Sequence, residues 1–209
     1  MTNFLKSIHA AQFEDKVDRM WRAFQAACAP FHKEIADLQK QHDAFEQQVQ
    51  AGEAQWEEVD EDTGAGWSYG GDFAERREDA EDALLTMRKA FVMTTYHLWE
   101  RGAQRWGKTM IPKPNHGDLI RALKIAAIIV DKQRLEELRL LVNCLKHNSG
   151  SARKLHKSRP SLFAVDFDPD ALHPATGKPF SPIDWADNIV LTDSDVDTYF
   201  GVVLSSAPK

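Results

Sequence analysis

The chain has 209 residues, 43% of them hydrophobic, and a formal net charge of −6 at pH 7. A chain of this size buries a core without disulfide or metal support, and the acidic balance excludes a protein that coats nucleic acid with its whole surface while leaving room for a local basic patch. Cys28 and Cys144 stand far apart with no C-x-x-C spacing, which excludes a disulfide framework or a cysteine zinc site and points to a reducing, cytoplasmic compartment. The first residues show no basic region followed by an apolar stretch, and the longest apolar run, Ile125 to Val130, is too short to cross a bilayer, so neither secretion nor membrane insertion is expected.

From about Phe13 to Val49 apolar residues recur at helical spacing without a glycine, which predicts one long helix or two, with a possible bend near Ala29 where Pro30 removes a backbone donor. The glycine-rich, acidic stretch from Gly52 to Asp72 reads as a loop without a catalytic group. A second long helix is predicted from about Phe73 to Trp106, with Leu84, Met87, Phe91, Leu98 and Trp99 inward, stopped by Gly107 and the Pro112-Lys113-Pro114 turn. Shorter helices follow over Asp118 to about Val130 and Lys132 to His147, the latter ended by Asn148-Ser149-Gly150, with Ser151 capping another that ends near Pro160. Beyond Phe163 proline steps dominate; only Asn188 to Leu191 reads as a strand, and Ser194 to Leu204 as a terminal helix. The predicted fold is mainly α: a helical bundle over 1–163 with long N-terminal helices, and a small, irregular, proline-rich C-terminal lobe over 164–209 packed on it.

The helix Lys132 to His147 carries the most suggestive chemistry. Leu138, Leu141, Val142 and Leu145 cluster on one side, whereas Arg139, Asn143, Lys146 and, less centrally, His147 share the other. Between Leu138 and Val165 there is no acid, while Arg139, Lys146, Arg153, Lys154, Lys157 and Arg159 accompany His147 and His156; such a block attracts phosphate. RNA is cleaved without metal when a base takes the 2′-hydroxyl proton, an acid protonates the leaving oxygen and cations stabilise the phosphorane, and histidine suits both proton transfers. The same residues also fit a structural role: Lys146 and His147 complement a helix C-terminus, Asn143 bonds a neighbouring helix, and the basic run is a solvated face.

The segment Leu138 to Phe163 resembles the C-terminal part of the HEPN superfamily, helical bundles common among abortive-infection and toxin–antitoxin ribonucleases. The family motif is an arginine, four to six residues, then a histidine, the arginine often followed by a polar residue such as asparagine. Asn143 and His147 match that asparagine and histidine, and Asn148-Ser149-Gly150 resembles what often follows. Val142 stands where the motif arginine would be; the nearest upstream arginine, Arg139, leaves seven intervening residues and shares a face with Asn143. The resemblance covers about residues 73–160. It implies a metal-independent, cofactor-free endoribonuclease of a prokaryotic defence or toxin–antitoxin system, an RNA substrate, and a homodimer whose paired motifs form a composite cleft. His147 would serve as acid or base, Arg139 and Lys146 would hold phosphate, Asn143 would orient them, and Arg153, Lys154, Lys157 and Arg159 would bind RNA. His97 and Glu100 of the second long helix, beside Tyr96 and Arg101, are candidate partner groups, though residues so placed also serve as core or interface.

The eight histidines show no H-x-x-x-H or H-E-x-x-H spacing, so no dedicated metal site is expected. Asp166-Phe167-Asp168-Pro169-Asp170 and Asp193-Ser194-Asp195-Val196-Asp197 lack the glycine and glutamate of a calcium loop, and no phosphate-binding glycine pattern occurs. Cys144, on the leucine-rich helix, reads as buried packing. The alternative to a nuclease is a catalytically silent helical protein that binds RNA or a protein partner such as an antitoxin, in the latter case through its long N-terminal helix and acidic loop.

Overall fold

The computed structural model describes residues 3–59, 63–64, 66–148, 151–178 and 182–209, with side chains described from residue 8 onward. Ser149-Gly150 of the helix-stop signal, residues 60–62 and 65 of the acidic loop, and parts of the Lys178-Pro179 and Ser181-Pro182 steps lie outside the described residues. Six α-helices among the described residues carry the architecture: α1 (Asn3–Gln50), α2 (Tyr69–Trp106), α3 (His116–Ile125), α4 (Lys132–His147), α5 (Ala152–Ser158) and α6 (Asp193–Ser205). The one sheet among them is an antiparallel hairpin of β1 (Glu57–Val59) and β2 (Gly66–Ser68). The mainly helical class and the long N-terminal helices match the apolar periodicity, and α1 continues through Pro30 as one helix.

Phe24–Met87 form one compact unit and Met1–Ala23 with Arg88–Lys209 another; the segment 164–209, expected as a lobe on the bundle, lies within the latter. In the unit of residues 24–87, the hairpin occupies what the sequence reads as a loop. Phe45 packs on Trp56 and Tyr69 with both centroid distances 5.0 Å, and Tyr69 donates its backbone N–H to the Trp56 carbonyl at 3.0 Å, closing the connection between α1 and α2.

In the other unit, Phe13 and Val17 of α1, Val92, Tyr96, Trp99 and Ala103 of α2, and the apolar faces of α3, α4 and α6 supply buried core residues. Helix α3 starts two residues earlier than predicted because Asn115 and Asp118 form a reciprocal capping box, with bonds of 3.0 and 3.1 Å. It ends well before Val130. Ala127 takes the left-handed conformation, φ 57°, and Ile128 N–H returns to the Leu123 carbonyl at 3.0 Å, a helix stop without the glycine or asparagine that usually marks one. The expected strand Asn188 to Leu191 reduces to one antiparallel bridge, Phe163 with Ile189.

Gly107 sets how closely α2 and α3 approach: a Cβ there would lie 2.7 Å from the Ala122 Cβ and 3.1 Å from the Ala103 carbonyl oxygen. Gly107→Ala is therefore expected to destabilise the fold by about 1–3 kcal/mol through overpacking. Urea unfolding checks this, and an unchanged midpoint would contradict the close approach.

Candidate functional site at the meeting of α2, α3 and α4

Helix α4 is fixed at both ends. Asp131 caps its N-terminus by accepting from Arg134 N–H at 3.0 Å, and Asn148 ends it in the left-handed conformation, φ 46°. Between them Leu135, Leu138, Leu141, Val142 and Cys144 are buried, so the orientation of α4 is set by its apolar face and its polar residues fall on the flanks. Burial raises the Cys144 thiol to about 11, which suits packing and not nucleophilic chemistry.

On one flank Glu136 and Arg139 form a two-pronged ion pair: Nε donates to Oε2 at 2.8 Å and Nη2 to Oε1 at 2.6 Å. His116, the first residue of α3, places Nε2 3.7 Å from Glu136 Oε2, and its Nδ1 is 2.9 Å from the Tyr96 hydroxyl of α2. The imidazole also stacks on Tyr96 and lies against Trp99, so only 11% of its side chain is exposed. One turn along α2, His97 Nδ1 meets Glu100 Oε2 at 2.7 Å. Three helices thus converge two histidines, two glutamates, a tyrosine and an arginine.

The electrostatics follow from burial and pairing. Burial, and then the Glu100 charge, push the Tyr96 hydroxyl far above its ordinary range, so it stays protonated. Burial holds His116 below its ordinary 6.5, which outweighs the attraction of Glu136. The arrangement assigned to this pair at neutral pH is therefore Tyr96 donating to Nδ1 of a neutral imidazole, whose Nε2 proton faces Glu136. The hydrogen bond from Arg139 holds Glu136 below its ordinary 4.5, and the Lys154 charge adds to this. Such a set can hold an ionised carboxylate and a neutral imidazole side by side, the pairing that general acid–base chemistry uses.

Of the residues singled out from sequence, Arg139, His97 and Glu100 lie in this cluster. Asn143 is half-buried, while Lys146 and His147 are exposed at the end of α4; no hydrogen bond or ion pair joins His147 to Arg139. Asn148, beside His147, accepts from Trp185 N–H at 2.6 Å and donates to the Ile183 carbonyl at 2.9 Å, pinning the C-terminal segment. The basic block is partly neutralised by acids from outside it. Arg153 binds Asp170 at 2.7 Å and lies over Trp185, and Arg159 binds Glu137 at 2.7 Å while approaching Asp195 at 3.7 Å. Lys154 and Lys157 are exposed without an ion-pair partner among the described residues.

Sequence reasoning missed His116 and Glu136. The capping signature Asn115-His116-Gly117-Asp118 could have placed the helix start at His116 instead of Asp118, and Glu136 stands three residues before Arg139, the spacing of a helical ion pair; neither signal alone reveals the convergence. Among the described residues His42, Asp43 and Glu46 of α1 also bring possible ligand atoms within 4.8 Å of one another, with both carboxylates exposed. Gln39 and Gln50 already bond those carboxylates, at 2.7 and 3.3 Å. No family model matches the chain, and comparison with curated proteins and with solved structures yields no match.

The depressed His116 fixes the sign of an acid effect. As pH falls below 6.5 the unfolded chain takes up that proton before the folded one, so stability declines; Glu136, depressed by Arg139, adds a further loss below 4.5. His116→Gln should flatten the part of the stability curve that begins near pH 6.5, measured by urea unfolding across pH. A slope identical to wild type would mean that His116 is not held neutral by the fold.

Proposed function

We propose that the chain is a metal-independent endoribonuclease of HEPN-like kind in a prokaryotic defence or toxin–antitoxin system. The observation that carries this reading is the position of Arg139, gripped by Glu136 where α2, α3 and α4 converge, on the helix whose exposed end presents Lys146 and His147. In the reaction, a base removes the 2′-hydroxyl proton, O2′ attacks phosphorus, the P–O5′ bond breaks and an acid returns a proton to O5′, leaving a 2′,3′-cyclic phosphate and a 5′-hydroxyl. His147 is one of the two proton-transfer groups, Arg139 and Lys146 meet the phosphorane charge, and Asn143 orients them. The seven residues between Arg139 and His147 place them two helical turns apart, so a second copy that brings its own motif to the cleft completes the site in this reading.

The test is cleavage of mixed structured and single-stranded RNAs in EDTA by wild type, His147→Ala and Arg139→Ala, purified in parallel and checked for equal folding. Each substitution should lower cleavage by about 10²–10⁴-fold, and wild-type products should end in cyclic phosphate. Cleavage unchanged in His147→Ala would end the assignment.

A second reading, a non-catalytic interaction protein, is favoured by a different feature. Residues 11–21 of α1 and 197–204 of α6 bound a groove of about 580 Å³, floored by Val17, Phe200 and Leu204 and rimmed by Glu14, Asp15, Asp18 and Asp197. Trp21 donates its indole N–H to Asp197 at 2.8 Å across the groove. An apolar floor under an acidic rim suits a basic amphipathic helix. Under this reading no RNA is cleaved, and Leu204→Glu weakens capture of a Lys-rich amphipathic peptide by about tenfold or more. Equal affinity of wild type and variant in a fluorescence-anisotropy titration would remove the groove from the argument.

A further inference from the structure

A cleft of about 280 Å³ lies between residues 9–16 of α1 and 98–106 of α2, within one compact unit and away from the α4 flank. Its construction follows from helical spacing. Arg101 and Arg105, one turn apart on α2, line one wall, and His9 and Lys16 of α1 line the other. Phe13 and Trp106 meet edge to face at 4.7 Å beneath them, both buried. Gly102 keeps the floor open to these rings, since a Cβ there would stand 2.8 Å from Trp106 and 3.2 Å from Phe13.

The charges in this cleft differ from the paired arginines elsewhere in the unit. Arg88, Arg139, Arg153 and Arg159 are each held by a carboxylate. Lys16, Arg101 and Arg105 have no ion-pair partner among the described residues, and no Asp or Glu lines the cleft. Arg101 Nε donates to the His97 carbonyl at 3.3 Å, which braces the side chain and leaves its terminal guanidinium nitrogens uncommitted. His9 Nδ1 is buried and has no hydrogen-bond partner. Three like charges gathered in one cleft repel one another, and an oxyanion relieves that repulsion.

We propose that this cleft binds a phosphate group, whether of a free or nucleotide phosphate or of an RNA backbone. Two guanidinium forks, an ammonium and an imidazole surpass what a monoanionic carboxylate needs and match the several acceptor oxygens of phosphate. The volume falls just below the roughly 300 Å³ at which pockets for drug-sized ligands begin, so it admits a phosphate with part of its sugar. With Phe13 and Trp106 buried, no ring is offered for a base to stack on, and recognition is independent of base identity. The proposal stands apart from the nuclease reading, since no residue of α4 lines the cleft.

The experiment follows the His9 ring resonances and the affinity by NMR while inorganic phosphate, AMP or a single-stranded oligoribonucleotide is added at constant ionic strength. It compares wild type with His9→Ala, Arg105→Gln and the double variant Lys16→Gln/Arg105→Gln; both cations are exposed and unpaired, and equal melting temperatures confirm intact folds. Saturable binding with a His9 shift is expected, weakened about tenfold or more in the double variant and further by added salt. Oligoribonucleotide binding displaced by phosphate assigns the cleft to the RNA backbone, and phosphate or AMP binding without oligoribonucleotide binding assigns it to a free anion. Absence of saturable binding at His9, or an affinity unchanged in both cation variants, would overturn the proposal. None of these readouts requires cleavage, so failure of the nuclease reading leaves them intact.

Discussion

The constraint on which the candidate site depends is the burial of the apolar face of α4. Leu135, Leu138 and Leu141 are fully buried, and removing any one of them leaves a cavity costing about 2–5 kcal/mol. That packing fixes the rotation of the helix and so sends the consecutive acids Glu136 and Glu137 to different neighbours. Glu136 faces Arg139 and His116, while Glu137 takes Arg159 and the Tyr199 hydroxyl of α6 at 3.0 Å. The Glu137 side tethers the C-terminal helix. The Glu136 side is the one left partly open, with 45% of its side chain exposed.

This division separates two uses of the same chemistry. Glu137 is only 14% exposed and its Oε1 accepts from both an arginine and a tyrosine, so it serves the structure, and removing Arg159 would leave a largely buried charge uncompensated. Glu136 is more exposed, and its neighbour His116 is held toward the neutral form by burial, so the carboxylate is less committed to the fold than that of Glu137. A guanidinium held by an internal carboxylate is positioned in advance but partly masked, and in the proposed reaction a phosphodiester would have to compete with Glu136 for it.

Helix number, type and approximate extent were legible because apolar periodicity over long segments is a local property. The early stop of α3 was not, because the left-handed residue is Ala127, which carries no turn signature. The hairpin between α1 and α2 was hidden in a glycine-rich acidic stretch whose strands are three residues each. At the site, Arg139, His97 and Glu100 were legible as polar residues on apolar helices, whereas His116 acquires its role only by packing against Tyr96 and Trp99. The basic run after Leu138 looked unopposed because the acids that oppose it come from afar in the chain: Asp170 is 17 residues from Arg153, and Glu137 is 22 from Arg159.

Charge pairing reverses the order in which the cations attract attention. Arg153 and Arg159, prominent in a sequence block free of acids, are held by carboxylates, while Lys16, Arg101 and Arg105, scattered in sequence, are brought together without one. Arg101 lines both the cleft between α1 and α2 and the depression that contains His97 and Glu100. On α2 the Glu100 carboxylate, bonded to His97, stands next to Arg101 in the chain, so the depression carries an acid that the cleft lacks. A repulsive carboxylate there penalises a continuous polyanion track and favours separate, short contacts. As the two proposals use them, the cluster on α4 and the cleft between α1 and α2 are therefore better understood as independent anchors than as one groove.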